Sequence, residues 1–135
     1  MAGLDDQTGK VLGGFAHVVQ SLGIIFTTSL RSRVMRRTFG SLNPAVLGRS
    51  MTPPVILRWK TALIIAIELW EPRYRADFVY DTGQDTSADV RAGQLSFVIS
   101  GAYLPRGHLG DPTPEGGIQT VSVGQRTGGP GLAVR

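Results

Sequence analysis

The stretch IELWEPRYRADFVY, Ile67–Tyr80, joins two of the most apolar runs in the chain through a charged triplet, Glu71-Pro72-Arg73. Proline lacks the N–H that continues a helical ladder, and its ring drives the preceding residue out of the helical region. Pro72 therefore predicts a helix-to-strand corner. Upstream, Val55, Ile56, Trp59, Ala62, Leu63, Ala66, Ile67 and Trp70 form a wide stripe at helical spacing, with Thr52 and Pro53 as cap and first helical position. Leu57, Ile64 and Ile65 carry that stripe around the cylinder, which predicts a helix from Pro53 to about Leu69 buried on more than one side. Downstream, Tyr74, Ala76, Phe78 and Tyr80 alternate with Arg73, Arg75, Asp77 and Val79, the period-two pattern of a half-covered strand.

Outward from the corner, Phe15, Val18, Val19, Leu22, Ile25 and Phe26 recur at helical spacing and predict a first helix with one buried face, although Gly23 weakens it. A basic link, TTSLRSRVMRRTFGSLNP, leads to a short turn opened by Asn43-Pro44 and ended by Gly48. DTGQDTSADVRAG, Asp81–Gly93, reads as a polar loop. QLSFVISGAY follows as a second strand, with Leu95, Phe97 and Ile99 on one face, and the two strands pair as an antiparallel hairpin. The fold class is α+β: an N-terminal helix and a long buried helix packed on a small antiparallel sheet, with an extended C-terminal tail. Residues 1–104 make one domain. The tail, 105–135, holds 8 Gly and 4 Pro in 31 residues and cannot build a core alone, so a neighbouring subunit is expected to order it. Within it, IQTVSV, Ile118–Val123, is β-branched enough to add to an exposed sheet edge, its own or another chain's.

Composition narrows the function. A chain of 135 residues without cysteine has no disulfide or thiolate metal site, and its opening carries two aspartates where a secretory signal would carry positive charge, as an unprocessed chain would. The most apolar window, VILRWKTALIIAIELW, is interrupted by Arg58, Lys60 and Glu68, so no membrane span is expected. The net charge of +4 comes from 12 Arg against 2 Lys, and Arg31, Arg33, Arg36 and Arg37 fall within seven residues. Arginine in excess of lysine is the signature of protein interfaces and of bidentate ion pairs. A nucleic-acid surface would add stacking aromatics to such a cluster, and only Phe39 lies close.

No catalytic pattern is present: no GxSxG elbow, no GxxxxGK[ST] loop, no HExxH and no cysteine nucleophile. GQRTGGPG lacks the lysine of a phosphate cradle. His17 and His108 stand apart from carboxylates at ligand spacing, which leaves no metal site and no cofactor. Glu68, Glu71 and Asp77 are the acidic residues near apolar ones, but Glu71 next to arginine would have its pKa lowered, the wrong direction for a glycosidase acid. A cell-wall-degrading enzyme and a basic nucleic-acid-binding module are the alternatives to a structural subunit.

The run SLGIIFTTSLRSRVMRRTFGS, followed about thirty residues later by LWEPR and a strand, resembles the baseplate assembly protein W family of contractile-tailed bacteriophages, whose relatives include a baseplate component of type VI secretion systems. The match covers roughly Thr8 to Tyr103, anchored by SRVMRRTFGS and WEPR. The resemblance implies a structural wedge subunit of the tail baseplate, similar in fold to the interlocking domain of sheath proteins and present in six copies per particle. Its implied partners are other wedge proteins, the sheath protein, and tube or hub proteins, with no nucleic acid and no membrane. Its implied location is the virion tail baseplate, assembled in the host cytoplasm. Partner contacts map onto Glu71, Pro72 and Arg73 at the corner, onto Arg33, Arg36, Arg37 and Phe39 in the basic stretch, and onto Arg75. Arg31 departs from the pattern, because many relatives carry glycine there; a positive φ at that site would cost arginine about 1 kcal/mol.

Overall fold

The computed structural model describes residues 2–46, 49–82, 87–91, 94–125 and 132–134. In chain order the elements are a hairpin of β1 (Ala2–Leu4) and β2 (Val11–Gly13), helix α1 (Gly14–Thr27), a short α2 (Asn43–Val46) and the long α3 (Pro53–Trp70). Then come strand β3 (Tyr74–Asp81), a short α4 (Ser87–Arg91), β4 (Phe97–Tyr103), a 3-10 turn (Gly107–Leu109), β5 (Ile118–Gln125) and β6 (Leu132–Val134). The sequence pattern gave no warning of the β1–β2 hairpin or of α4, both only a few residues long. The expected turn end at Gly48 and most of GQRTGGPG lie outside the described residues.

Helix α3 begins where two prolines follow an extended Thr52, at positions whose N–H groups have no intrahelical acceptor. It ends at the corner: the Glu71 N–H still reaches the Ile67 carbonyl at 2.8 Å, and Pro72 has none to offer. Its core face is Trp59, Leu63, Ala66 and Ile67. Helix α1 contributes Val18, Leu22, Ile25 and Phe26. Both faces merge with Phe97 and Ile99 of β4 and Val121 and Val123 of β5 into one core, in which Trp59 meets Phe97 edge-to-face at 4.8 Å. The expected burial of α3 on more than one side does not occur within the chain. Leu57, Ile65 and Leu69 are each at least half exposed.

The four-stranded sheet runs β3-β4-β5-β6, every neighbouring pair antiparallel. The hairpin read from sequence is present, from Tyr74 opposite Tyr103 to Asp81 opposite Phe97. Its alternation is corrected by a bulge between Ala76 and Phe78. An extra residue on one strand reverses which face each later side chain takes. Tyr74 is buried and Val79 packs on the core, whereas Phe78 and Tyr80, expected inside with Tyr74, are 71% and 47% exposed. Gly101 lies across from this bulge; a Cβ there would stand 2.1 Å from the Arg75 carbonyl oxygen, so the close approach of the strands needs glycine.

The described strands of the tail pair with their own chain. β5 pairs with β4 from Phe97 opposite Val123 to Ala102 opposite Ile118, and β6 pairs in turn with the end of β5. Val121 and Val123 are fully buried, and each contributes about 1.5 kcal/mol or more toward the entropy of ordering the segment. Of the two edges offered to IQTVSV by the sequence reading, the strand takes the intramolecular one. Val134 of β6 lies against Gly23 of α1.

Candidate assembly interface

At the corner, Glu71 and Arg73 face each other. Arg73 Nε donates to Glu71 Oε1 at 2.7 Å and Nη2 to Oε2 at 2.9 Å, a bidentate pair of which only 2% of the glutamate and 8% of the arginine are exposed. The Glu71 carboxylate raises the Arg73 pKa above its ordinary value, against the opposing effect of burial. The remaining arm of the fork, Nη1, lies 3.0 Å from His17 Nδ1 on α1. A guanidinium can only donate, so His17 accepts at Nδ1 and carries its proton on Nε2. Gly3 of β1 lies against the same imidazole. Within the free chain the charges of Glu71 and Arg73 are satisfied by each other, because only two residues separate them across a turn that brings the side chains onto one side.

The backbone of the corner is also tied down. Tyr74 N–H donates to the Glu71 carbonyl at 3.1 Å and Leu104 N–H to the Arg73 carbonyl at 2.8 Å. Gly107 packs so close that an added Cβ would meet the Pro72 carbonyl oxygen at 2.0 Å. The Tyr74 hydroxyl reaches two carbonyls, Ile99 at 3.1 Å and Gln119 at 2.9 Å, stitching the start of β3 to β4 and β5; burial pushes its pKa up to about 12. Pro72 alone of the triplet is exposed.

The basic stretch is a loop closed at its neck. Ser29 bridges Ser41, Ser41 N–H donates to the Thr28 carbonyl at 2.9 Å, and Arg31 N–H donates to the Arg37 carbonyl at 2.9 Å. Arg31 has φ of 69°, the one positive value at a non-glycine among the described residues, so the arginine does stand where the backbone suits glycine. Phe39 is the platform of this loop. Arg33 lies 4.4 Å and Arg36 5.5 Å from its ring centroid, and the ring itself meets Trp70 at 5.1 Å. Each such stack contributes about 0.5–1 kcal/mol at an exposed site. Among the described residues none of Arg31, Arg33, Arg36 and Arg37 has a carboxylate partner. The loop's tip carries Val34 and Met35, 81% and 93% exposed.

Trp70 thus joins the two regions that the sequence reading singled out: it meets the Phe39 ring edge-on and immediately precedes the corner. Arg75 stands apart on β3, 3.6 Å from Asp77, with both side chains well exposed. The sequence reading missed His17 as the third member of the corner, since no local pattern links residues 56 apart. It also missed the outward turn of Phe78 and Tyr80, and among the residue types only the neighbouring glycine at 101 hinted at an irregular pairing.

Sequence comparison agrees with this geometry. The family described as baseplate wedge protein gp25 matches residues 14–104, from the start of α1 to the residue after β4. The chain belongs to that family. It is 31% identical over 105 residues to baseplate protein W of Escherichia phage P2, covering 78% of this chain and 86% of that one. Among solved structures it is similar to a chain of the pyocin R2 baseplate in its post-contraction state, with a TM-score of 0.63 and 27% identity over 76% of this chain and 98% of that one. A putative tail lysozyme from Geobacter sulfurreducens has the same fold, with a TM-score of 0.59 at 19% identity, covering 89% and 99%. As a member of the gp25 baseplate wedge family the chain is a structural component of a contractile tail, located in the baseplate. The family match stops at Leu104, so β5 and β6 lie beyond it although they complete the sheet.

Proposed function

We propose that this chain fastens wedge proteins of a contractile-tail baseplate to one another and gives the first sheath ring its docking point, in six copies per particle. The observation that carries the reading is the arginine loop, four guanidiniums without a carboxylate partner among the described residues, two of them held over Phe39, beside a corner locked by the Glu71 pair. Cations kept in place in this way suit carboxylates supplied by another protein, where they give register as much as affinity. The rigid corner sets the angle between α3 and β3 and offers Pro72 at the surface. Strand β3 is one of the sheet's two edge strands, and the sheath contact is assigned to it: a strand added there would gain backbone bonds, with the Arg75–Asp77 pair guarding the edge until then.

A muralytic activity has little to stand on. Glu71 is buried in its pair with Arg73, and Asp77 is paired with Arg75. Among the described residues, one cleft carries Asp5 and Asp6 and another Asp111 and Glu115. Bonds from Gln7 and Thr8 hold Asp5, and bonds from Thr113 hold Asp111, below the ordinary carboxylate range, where an acid catalyst needs the opposite. The likeness to a tail lysozyme is one of fold alone. The test is quantitative mass spectrometry of purified tail particles: six copies per particle, retained at salt concentrations that strip nucleic-acid binders, supports the reading, and a chain absent from particles sinks it.

A further inference from the structure

Two clefts run into each other along the side of α3 that faces away from the sheet. One, about 460 Å³, lies between α2 and the first half of α3, with Leu42, Leu57 and Ile65 in its walls and Arg49 and Arg58 beside them. The other, about 120 Å³, continues past Ala66 to Leu69 and Trp70. They share Leu42, Ala62 and Ile65 and so form one groove. Leu57, Ile65 and Leu69 lie in a single row of every fourth residue, and twelve residues of helix span about 18 Å, room for roughly three turns of another helix. Ala62 and Ala66 line the groove with small side chains, over which a second backbone can approach closely. Leu42, Leu57, Ile65 and Leu69 are between 50% and 66% exposed, a contiguous apolar patch of the kind that marks an interaction site.

The charges select the occupant. Among the described residues no acidic one lines either cleft; Arg49 and Arg58 stand at one end, and Arg36 lies 6.0 Å from the Trp70 ring at the other. None of these three has a carboxylate partner among the described residues. A second copy of the chain, laid two-fold symmetrically into the groove, would bring the Arg49 and Arg58 end of one against the Arg36 end of the other, and like charges oppose it. Side chains of α2 and α3 with Leu42 and Arg49 wall the larger cleft, and the loop residues Leu30, Thr38, Gly40 and Ser41 close the smaller one, while the row of every fourth residue on α3 matches the ridges of another helix.

We propose that this groove receives an amphipathic helix of another baseplate protein, with apolar residues at i, i+4 and i+7 facing Ala62 and Ile65 and carboxylates near both of its ends. The proposal rests on the baseplate reading above and adds to it a second surface, one that borders the arginine loop at Leu30, Thr38 and Gly40 and is separate from the β3 edge. The experiment places a photo-crosslinking phenylalanine analogue at Leu57 or Leu69 in assembled tail particles and maps the attached peptide by mass spectrometry. The expected product is a segment of a different protein with helical apolar spacing and acidic flanks. A cross-link to this chain itself, to a basic or non-helical segment, or no cross-link in particles that contain the chain overturns the groove while leaving the baseplate reading intact. Absence of the chain from particles overturns both. A parallel variant, Ile65→Asp, replaces a half-exposed side chain and is expected to leave the melting temperature of the free chain within a few degrees while lowering incorporation about thirtyfold. Normal incorporation of that variant contradicts the proposal.

Discussion

The Arg73 guanidinium and the Glu71 carboxylate meet through two parallel hydrogen bonds, 2.7 and 2.9 Å long, inside the free chain. The turn at Pro72 makes the pair possible, and the pair in turn fixes the turn. Its third contact, to His17, ties the corner to α1, so the two helices and β3 hold a common geometry before any partner arrives.

Breaking the pair from one side leaves a buried cation. Glu71→Ala should destabilise the isolated chain by about 3–5 kcal/mol, measured by urea unfolding. A loss below about 1 kcal/mol would mean that the pair is solvated and that its role lies wholly in assembly.

Tyr74 gives the fold an alkaline limit. Its pKa in the folded chain is about 12, above the ordinary value near 10 of an unfolded tyrosine, so the unfolded state loses its proton first. The contribution is full below pH 10 and is lost as pH rises from 10 to 12, amounting to about 3 kcal/mol. Tyr74→Phe should lower stability at neutral pH by about 1–2 kcal/mol through the lost hydroxyl bonds. It should also flatten the decline between pH 10 and 12; an unchanged decline would assign it to other groups.

Arg31 occupies a left-handed backbone position. Arg31→Gly should stabilise the chain by up to about 1 kcal/mol, the relief of the Cβ clash less the extra chain entropy of glycine. Thermal unfolding reads this directly. A destabilised glycine variant would show that the arginine side chain makes good the strain.

The bulge in β3 assigns opposite environments to neighbouring residues. Phe78→Ala should cost less than about 1 kcal/mol because the ring is largely exposed, whereas unbroken alternation would place it in the core at a cost of about 3–5 kcal/mol. Val79→Ala, on the core side, should be the more damaging of the two.

Much of this was legible from residue spacing. Both helices came from apolar positions three and four apart, and the corner from one proline whose backbone chemistry leaves few choices. What stayed hidden had nonlocal causes. The bulge at Ala76–Phe78 inverts a strand that reads as regular, because pairing with β4, across from Gly101, sets its phase. The Glu71 and Arg73 side chains carry no mark saying whether they will bond each other or a stranger; two residues apart around a proline, they can do either. The tail looked too poor in apolar residues to order itself. Its strand β5 nevertheless pairs with β4, where Val121 and Val123 bring the apolar surface that covers the core. Leu57 and Ile65 read as core from spacing but are exposed, since sequence alone does not separate a helix buried in its own domain from one that keeps a face for a partner.

The most direct test of the account is negative-stain imaging of tails assembled with the arginine loop reversed, Arg33→Glu, Arg36→Glu and Arg37→Glu together. These side chains are exposed, so the purified variant should melt close to the parent chain. The account predicts tubes without sheath, or no tails at all, from cells that carry only this variant. Full-length sheathed tails in normal yield would contradict it.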